Sequence, residues 1–333
     1  MNSSVVSINA WRERSEQGAT RADRRIRLRD DRWLGFAEYG DPHGIPLFAF
    51  HGTPGSRLMV QAAHGPAAAS GVRVIAPDRP GFGLSSRRAG RQIGDWPQDV
   101  AELADALEIA RFGVVGVSGG GPYALACAWR MPERLSVVAS VSGVAPMAGP
   151  GGIPKLQRQD HAVLETLRRA PYLAWPLMAL GGVAWQRSPE RMYRRLEALC
   201  PPADRVVLAR PDVTGALVTG VQEAFRAGSR GAADELRLFI RPWGFPLEET
   251  AVPVHIWHGA RDTLVPCVAA QRLAGSIPDC RVAIIPDGGH YLVYGMLDEL
   301  LATARRAVDA GLPGAARHQS DPGASLPAGS LTG

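Results

Sequence analysis

The stretch Arg111-Phe-Gly-Val-Val-Gly-Val-Ser118-Gly-Gly-Gly-Pro-Tyr-Ala-Leu-Ala126 carries an apolar, β-branched run into one serine, three glycines and an Ala/Leu-rich helical pattern. It reads as a strand, a very tight turn and a helix. Within it, Gly116-Val-Ser118-Gly-Gly120 is a Gly-x-Ser-x-Gly pattern, in which a Cβ on either flanking glycine would clash across the turn. A serine hydroxyl is a weak nucleophile until it is lifted from the fold and placed beside a base. This turn points the Ser118 Oγ at solvent, with the free N–H groups of a helix start behind it. A chain with 38 glycines in 333 residues meets such a five-residue pattern by chance, so the flanking strand and helix carry the signal. The glycines do not suit phosphate binding: no Gly-Lys-Ser/Thr is present and the spacing is not G-x-G-x-x-G.

Outward from this turn, Ile26 to Tyr39 alternates around Asp30-Asp31 and predicts an antiparallel hairpin. Ile45 to Phe50 is apolar throughout, a strand covered on both faces, and ends in His51-Gly-Thr-Pro-Gly-Ser56. A helical stretch to Ser70 and a strand Val72 to Ala76 follow, the latter ending in Asp78-Arg-Pro-Gly-Phe-Gly-Leu-Ser85. Trp96 to Ile109 is amphipathic, and Leu135 to Val141 is another strand. Strand, loop and helix in repetition predict an α/β fold with a doubly wound, mostly parallel sheet whose motif loops share one rim. From about Met147 to Glu249 the pattern becomes helix upon helix: Leu156 to Arg169, Tyr172 to Trp185, Glu190 to Leu199, Ala216 to Ala227 and Ala232 to Ile240. Strands return at Val252 to Trp257 and Arg281 to Ile285, with a closing helix from Tyr291 to Ala310. The expected organisation is a core of residues 23–146 and 250–311, a helical cap or lid over 147–249, and flexible segments at 1–22 and 312–333.

Composition narrows the partners. Of 37 basic residues all but Lys155 are arginine, and the net charge is +5. The densest basic run, Arg21 to Arg32, is interrupted by Asp23, Asp30 and Asp31, so no continuous stripe suits nucleic acid. Cys127, Cys200, Cys267 and Cys280 form no C-x-x-C pair, which argues against a zinc site or disulfide framework and for buried thiols in a reducing, cytoplasmic setting. No secretory signal pattern opens the chain, and the apolar stretch Ala170 to Trp185 is broken by Pro171, Pro176, Gly181 and Gly182, so no stable membrane insertion is expected. No cofactor or metal is implied, a small molecule is the expected partner, and a homodimer is left open.

If Ser118 is a nucleophile of this elbow type, an acid and then a histidine must follow in the chain. His290 stands in a glycine-flanked loop after the last strand, and Asp262 just past the strand before it. Asp287 and Asp298 are rivals to Asp262; Asp287 is the sharper, although a residue three before the histidine on one turn tends to point away from the ring. An oxyanion hole needs two converging N–H groups, here Gly119 from the elbow and Thr53 from the loop after Phe50, since Pro54 has none. His51, His258, Asp78 and Arg79 read as braces of these loops. The aromatic and aliphatic residues Tyr172, Leu173, Trp175, Leu177, Met178, Leu180, Trp185 and Phe225 suggest an apolar pocket under the cap as well as helix core.

Together, His51-Gly-Thr-Pro-Gly55, Asp78-Arg-Pro-Gly-Phe-Gly-Leu-Ser85, Gly-Val-Ser118-Gly-Gly, Trp257-His-Gly-Ala-Arg-Asp262-Thr-Leu-Val-Pro266 and Gly288-Gly-His290 resemble the α/β-hydrolase superfamily in its capped bacterial branch, over about residues 25 to 311. That branch includes serine esterases, lactonases, proline iminopeptidases, C–C bond hydrolases and cofactor-free haloperoxidases. The resemblance implies Ser118 as nucleophile, His290 as base, Asp262 as acid, and Thr53 and Gly119 as oxyanion donors. Serine at the elbow, rather than aspartate, sets the chain apart from epoxide hydrolases and haloalkane dehalogenases. Gly119 departs from the bulky residue usual after the serine of proline iminopeptidases. The implied activity is hydrolysis of an ester or related acyl bond. C–C cleavage or perhydrolysis on the same triad, and a non-catalytic ligand-binding module, are the alternatives.

Overall fold

The computed structural model describes residues 21–146 and 166–311. Eight strands, β1 (Arg21–Arg27), β2 (Trp33–Gly40), β3 (Ile45–Phe50), β4 (Val72–Pro77), β5 (Phe112–Val117), β6 (Leu135–Val141), β7 (Val254–Gly259) and β8 (Cys280–Ile285), form one sheet. Their order is β1-β2-β4-β3-β5-β6-β7-β8. β2 pairs antiparallel with β1 and β4, and every other pairing is parallel.

Alternation along each strand sends neighbouring residues to opposite faces. Phe48, Phe50, Phe112 and Val114 face the helices Trp96–Ala106, Gly121–Arg130 and Val268–Ser276. Leu47, Ala49, Val74 and Val115 face the opposite layer, built from the helix His64–Ala69 and the closing helix Leu297–Gly311. Because helices cover both faces, the central strands are apolar at nearly every position. All parallel strands point one way, so the loops after β3, β4, β5, β7 and β8 lie on one rim.

Between β6 and β7 the described residues form helices Ala174–Arg187, Pro189–Leu199, Pro202–Leu208, Pro211–Ala224 and Arg230–Phe239. Several boundaries differ from expectation. The first strand starts at Arg21 rather than at Ile26, because Arg21 and Arg24 already pair with β2. Pro211, at the first helical turn with Asp212 beside it, starts its helix five residues before Ala216; Gly228, at φ +92°, lies beyond its end. Pro202 starts a helix in the same way where none was expected. Glu108, at φ +57°, ends the Trp96 helix at Ala106. The expected closing helix is split into a short 3₁₀ turn, Leu292–Gly295, and Leu297–Gly311. Of the expected helix Leu156 to Arg169, only residues 166–169 fall among those described, and they are helical; the terminal segments before residue 21 and after residue 311 lie outside the described residues. Cys127 and Cys200 are buried, whereas Cys267 and Cys280 are only half-buried, Cys280 opening the edge strand β8; all four are free thiols.

Candidate active site

Ser118 leaves β5 at φ +55° and opens a 3₁₀ turn that runs into the helix Gly121–Arg130. A non-glycine residue in this left-handed region costs on the order of 1–3 kcal/mol, so surrounding contacts must hold it there. The contacts are visible at the glycines. A Cβ on Gly116 would fall on the Gly120 carbonyl, and one on Gly120 on the Phe50 carbonyl, so the elbow is pressed against its own strand and against β3.

His290, in the loop after β8, places Nε2 3.0 Å from the Ser118 Oγ, and its Nδ1 lies 2.8 Å from Asp262 Oδ2. The neutral ring with its proton on Nδ1 donates to Asp262 and accepts from Ser118. Asp262 is fixed in turn: its Oδ1 accepts the backbone N–H of Leu264 (2.9 Å) and of Val265 (2.8 Å). Burial alone would lower the His290 pKa, but the charge and hydrogen bond of Asp262, with the charge of Asp204, outweigh it and raise the pKa above the ordinary 6.5. Burial works the other way on Asp262, and His290 with the Val265 N–H holds its carboxyl below the usual value. Asp287 points outward to Arg261 (2.8 Å), with 83% of its side chain exposed, and Asp298 is exposed on the closing helix. Neither joins the cluster.

The loop after β3 closes over the elbow. A Cβ on Gly52 would lie 3.9 Å from the Ser118 Oγ, and one on Gly119 would collide with Thr53 Oγ1, so Gly52-Thr53 and Ser118-Gly119 are packed face to face. The same contact leaves no room for a bulky residue after the nucleophile. His51 donates from Nδ1 to the Gly52 carbonyl (2.8 Å) and accepts the Arg79 N–H at Nε2 (3.3 Å); burial and the Arg79 charge hold its pKa well down. His258 donates from Nε2 to the Val265 carbonyl (2.8 Å), and Asp78 accepts from Arg57 and the Leu84 N–H. These residues brace loops.

The model of the alpha/beta hydrolase fold family matches residues 45–295. The chain belongs to that family. It is similar to the pimeloyl-[acyl-carrier protein] methyl ester esterase of Aromatoleum aromaticum, 30% identical over 253 residues covering 73% of this chain and 90% of that protein. It is 27% identical to a 2-hydroxymuconate semialdehyde hydrolase of Pseudomonas putida over 264 residues, 74% of this chain and 81% of that one. Among solved structures, an esterase from Exiguobacterium antarcticum matches with TM-score 0.65 at 18% identity, covering 86% of this chain and 99% of the other. The protein is an enzyme, a hydrolase of this fold.

Two buried carboxylates of the helical insertion reach into the hydrolase's rim loops, and sequence reasoning missed both. Glu235, on the helix Arg230–Phe239, accepts from Thr53 Oγ1 (2.6 Å), from Arg79 Nε (2.7 Å) and, at 3.0 Å, from Arg79 Nη2. Burial would raise its pKa, but Arg79 and Arg91 bring it down to about 2. Asp204, on Pro202–Leu208, accepts the backbone N–H groups of His290 and Tyr291, both at 2.8 Å, and Gly289 is glycine because a Cβ there would enter this carboxylate. The signal for Glu235 was a charge among the buried positions Ala232, Ala233 and Phe239 of its helix. For Asp204 the sequence held no comparable sign.

A cavity of about 390 Å³ opens at Ser118 and His290. Of the eight residues read as pocket lining or helix core, only Trp185 lines this cavity; Met178 and Phe225 pack in the apolar core of the insertion, and Tyr172, Leu173, Trp175, Leu177 and Leu180 are exposed. The insertion's contribution comes instead from Leu196, Leu217, Val221, Leu236 and Phe239, on the faces its helices turn to the rim. Among the described residues no His/Cys/Asp/Glu group is placed to hold a metal ion, and no helix is long and apolar enough to cross a membrane.

Proposed function

We propose that this protein is a serine hydrolase that cleaves an ester or related acyl bond of a small, largely apolar molecule, with the helical insertion as the cap over its site. The observation that carries this reading is the unbroken hydrogen-bonded chain Ser118–His290–Asp262 at the mouth of an apolar cavity. His290 Nε2 takes the Ser118 proton as Oγ attacks the acyl carbon. The backbone N–H groups of Gly119 and Thr53 receive the oxyanion, and Asp262 stabilises the imidazolium. Collapse of the tetrahedral intermediate breaks the bond to the leaving group, which takes its proton from His290. Water, deprotonated by His290, then hydrolyses the acyl-Ser118 ester and restores the free hydroxyl.

Mass spectrometry after fluorophosphonate treatment, beside p-nitrophenyl ester turnover, tests this. An adduct on Ser118 together with turnover is the expected result; a folded protein without adduct or turnover overturns it. Similarity to a hydrolase named for a semialdehyde supports a second reading, C–C bond hydrolysis on the same triad. A pre-steady-state burst with acyl-Ser118 accumulation favours the ester route, and its absence with a turned-over diketone favours the second.

A further inference from the structure

The cavity at Ser118 does not end beneath the insertion. Its wall includes Leu47 and Val74, partners across β3 and β4, and Ala49 and Val115, partners across β3 and β5. Leu47 is level with Gly113, four residues before Val117 at the end of β5. At about 3.3 Å of rise per residue, this branch runs roughly 13 Å down the strands from the elbow. Its far wall is the closing helix, through Leu300 and Leu301. The branch therefore occupies the layer between sheet and helix, where close packing ordinarily leaves few voids larger than a water molecule. Leu47, Ala49, Val74, Val115, Leu300 and Leu301 on this wall offer only hydrocarbon, and the hydroxyl of Tyr294, another lining residue, already donates to the Met59 carbonyl (3.3 Å). An apolar void of about 150 Å³ stays dry and takes up benzene, and nothing in this one holds water better.

We propose that this branch binds one unbranched alkyl chain of roughly eight to ten carbons, and that the sheet face, rather than the insertion, sets the chain-length limit. An extended chain advances about 1.25 Å per carbon for C–C bonds of about 1.5 Å, so the branch holds about ten. The inference rests on the serine-hydrolase reading for its substrate class: the chain belongs to the ester that Ser118 attacks. The same alkyl group reaches the branch from the acyl or the alcohol side, and two ester series separate these.

The test measures kcat/KM for p-nitrophenyl alkanoates from acetate to palmitate and for alkyl acetates from ethyl to hexadecyl. Wild type is compared with Val74→Phe, which fills the floor, and Ala49→Leu, which narrows the middle. In one series kcat/KM should rise on the order of three- to fourfold per methylene up to about ten carbons and then fall, that series naming the side. Val74→Phe should lower the ratio of ten-carbon to two-carbon kcat/KM at least tenfold, and Ala49→Leu should move the limit to shorter chains still. In parallel, Ser118→Ala protein is titrated with decanoate and butyrate, alone and with Val74→Phe, which should weaken decanoate at least tenfold. Turnover of short esters with no gain beyond four carbons in either series, or ratios unchanged in both variants, overturns the channel and leaves the hydrolase reading standing. No ester turnover, with decanoate bound and weakened by Val74→Phe, keeps the channel and overturns the ester reading; neither turnover nor decanoate binding overturns both. If Val74→Phe does not fold, Ala49→Leu carries the same comparison.

Discussion

The rim loops and the helical insertion build the same site by different means. The loops after β3, β5, β7 and β8 bring Thr53, Ser118, Gly119, Asp262 and His290, each only a few residues beyond the end of its strand. The insertion brings carboxylates that hold those loops: Asp204 under the His290 backbone, Glu235 between Thr53 and Arg79, and Glu223 on Arg57 (2.8 Å), itself paired with the buried Asp78. Groups of the first kind are set by the local course of the backbone, and those of the second by pairings across 86 to 182 residues. Removing a reacting group should therefore end the chemistry and spare the fold. Removing a holder should disturb stability, geometry and titration together.

The sharpest version of that contrast is Ser118→Ala, which should cut kcat by on the order of 10⁶ while its chemical unfolding midpoint stays near wild type. A large loss of stability would mean that the elbow is also a holder. Next comes Asp262→Asn, with an expected loss of around 10⁴, against Asp287→Asn at the wild-type rate, since an exposed ion pair of that kind contributes at most about 1 kcal/mol. Steady-state kinetics in which the two variants exchange places would break the assignment of the acid.

Glu235→Gln tests the holders. It leaves the buried Arg79 without its charge partner, and breaking such a pair costs about 3–5 kcal/mol, which urea unfolding at pH 7 would measure. The sign with pH follows from a folded pKa of about 2, below the usual 4.5: the stabilisation by Glu235 is complete above about pH 4.5 and is lost as pH falls from there towards 2. The gap between wild type and Glu235→Gln should accordingly narrow in that window. A stability gap that persists unchanged through it would dismiss the ion pair as the cause.

The smallest effect concerns Asp204. Because the His290 pKa is raised and the proposed mechanism uses the neutral ring as base, the acid limb of kcat/KM should have its midpoint above pH 6.5. Asp204→Asn removes one of the raising charges, so the midpoint should move to lower pH, together with a modest fall in kcat, since its single amide oxygen can serve only one of the His290 and Tyr291 N–H groups. A pH profile that does not move would leave Asp204 a purely structural residue.

Much of this molecule can be read along the chain because short-range sterics write it there. Gly116 and Gly120 are glycine because their neighbours are backbone, so the turn around Ser118 announces itself, and the continuous apolar run of β3 announces a strand covered on both faces. The order of Ser118, Asp262 and His290 follows from the order of the strands that carry them. The insertion was read less well. Its aromatic residues Tyr172 and Trp175 look like a pocket lining in the sequence but face outward, since helical periodicity marks an apolar stripe without saying what will meet it. Glu235 and Asp204 act through partners far away in the chain, and the cavity wall gathers Leu47, Val74 and Leu301 from two strands and a distant helix. The chain by itself determined the strands, the elbow and which loops carry Ser118, Asp262 and His290, each set a few residues beyond a strand end. Which carboxylates hold them, and how deep the cavity runs, was decided by packing between remote segments.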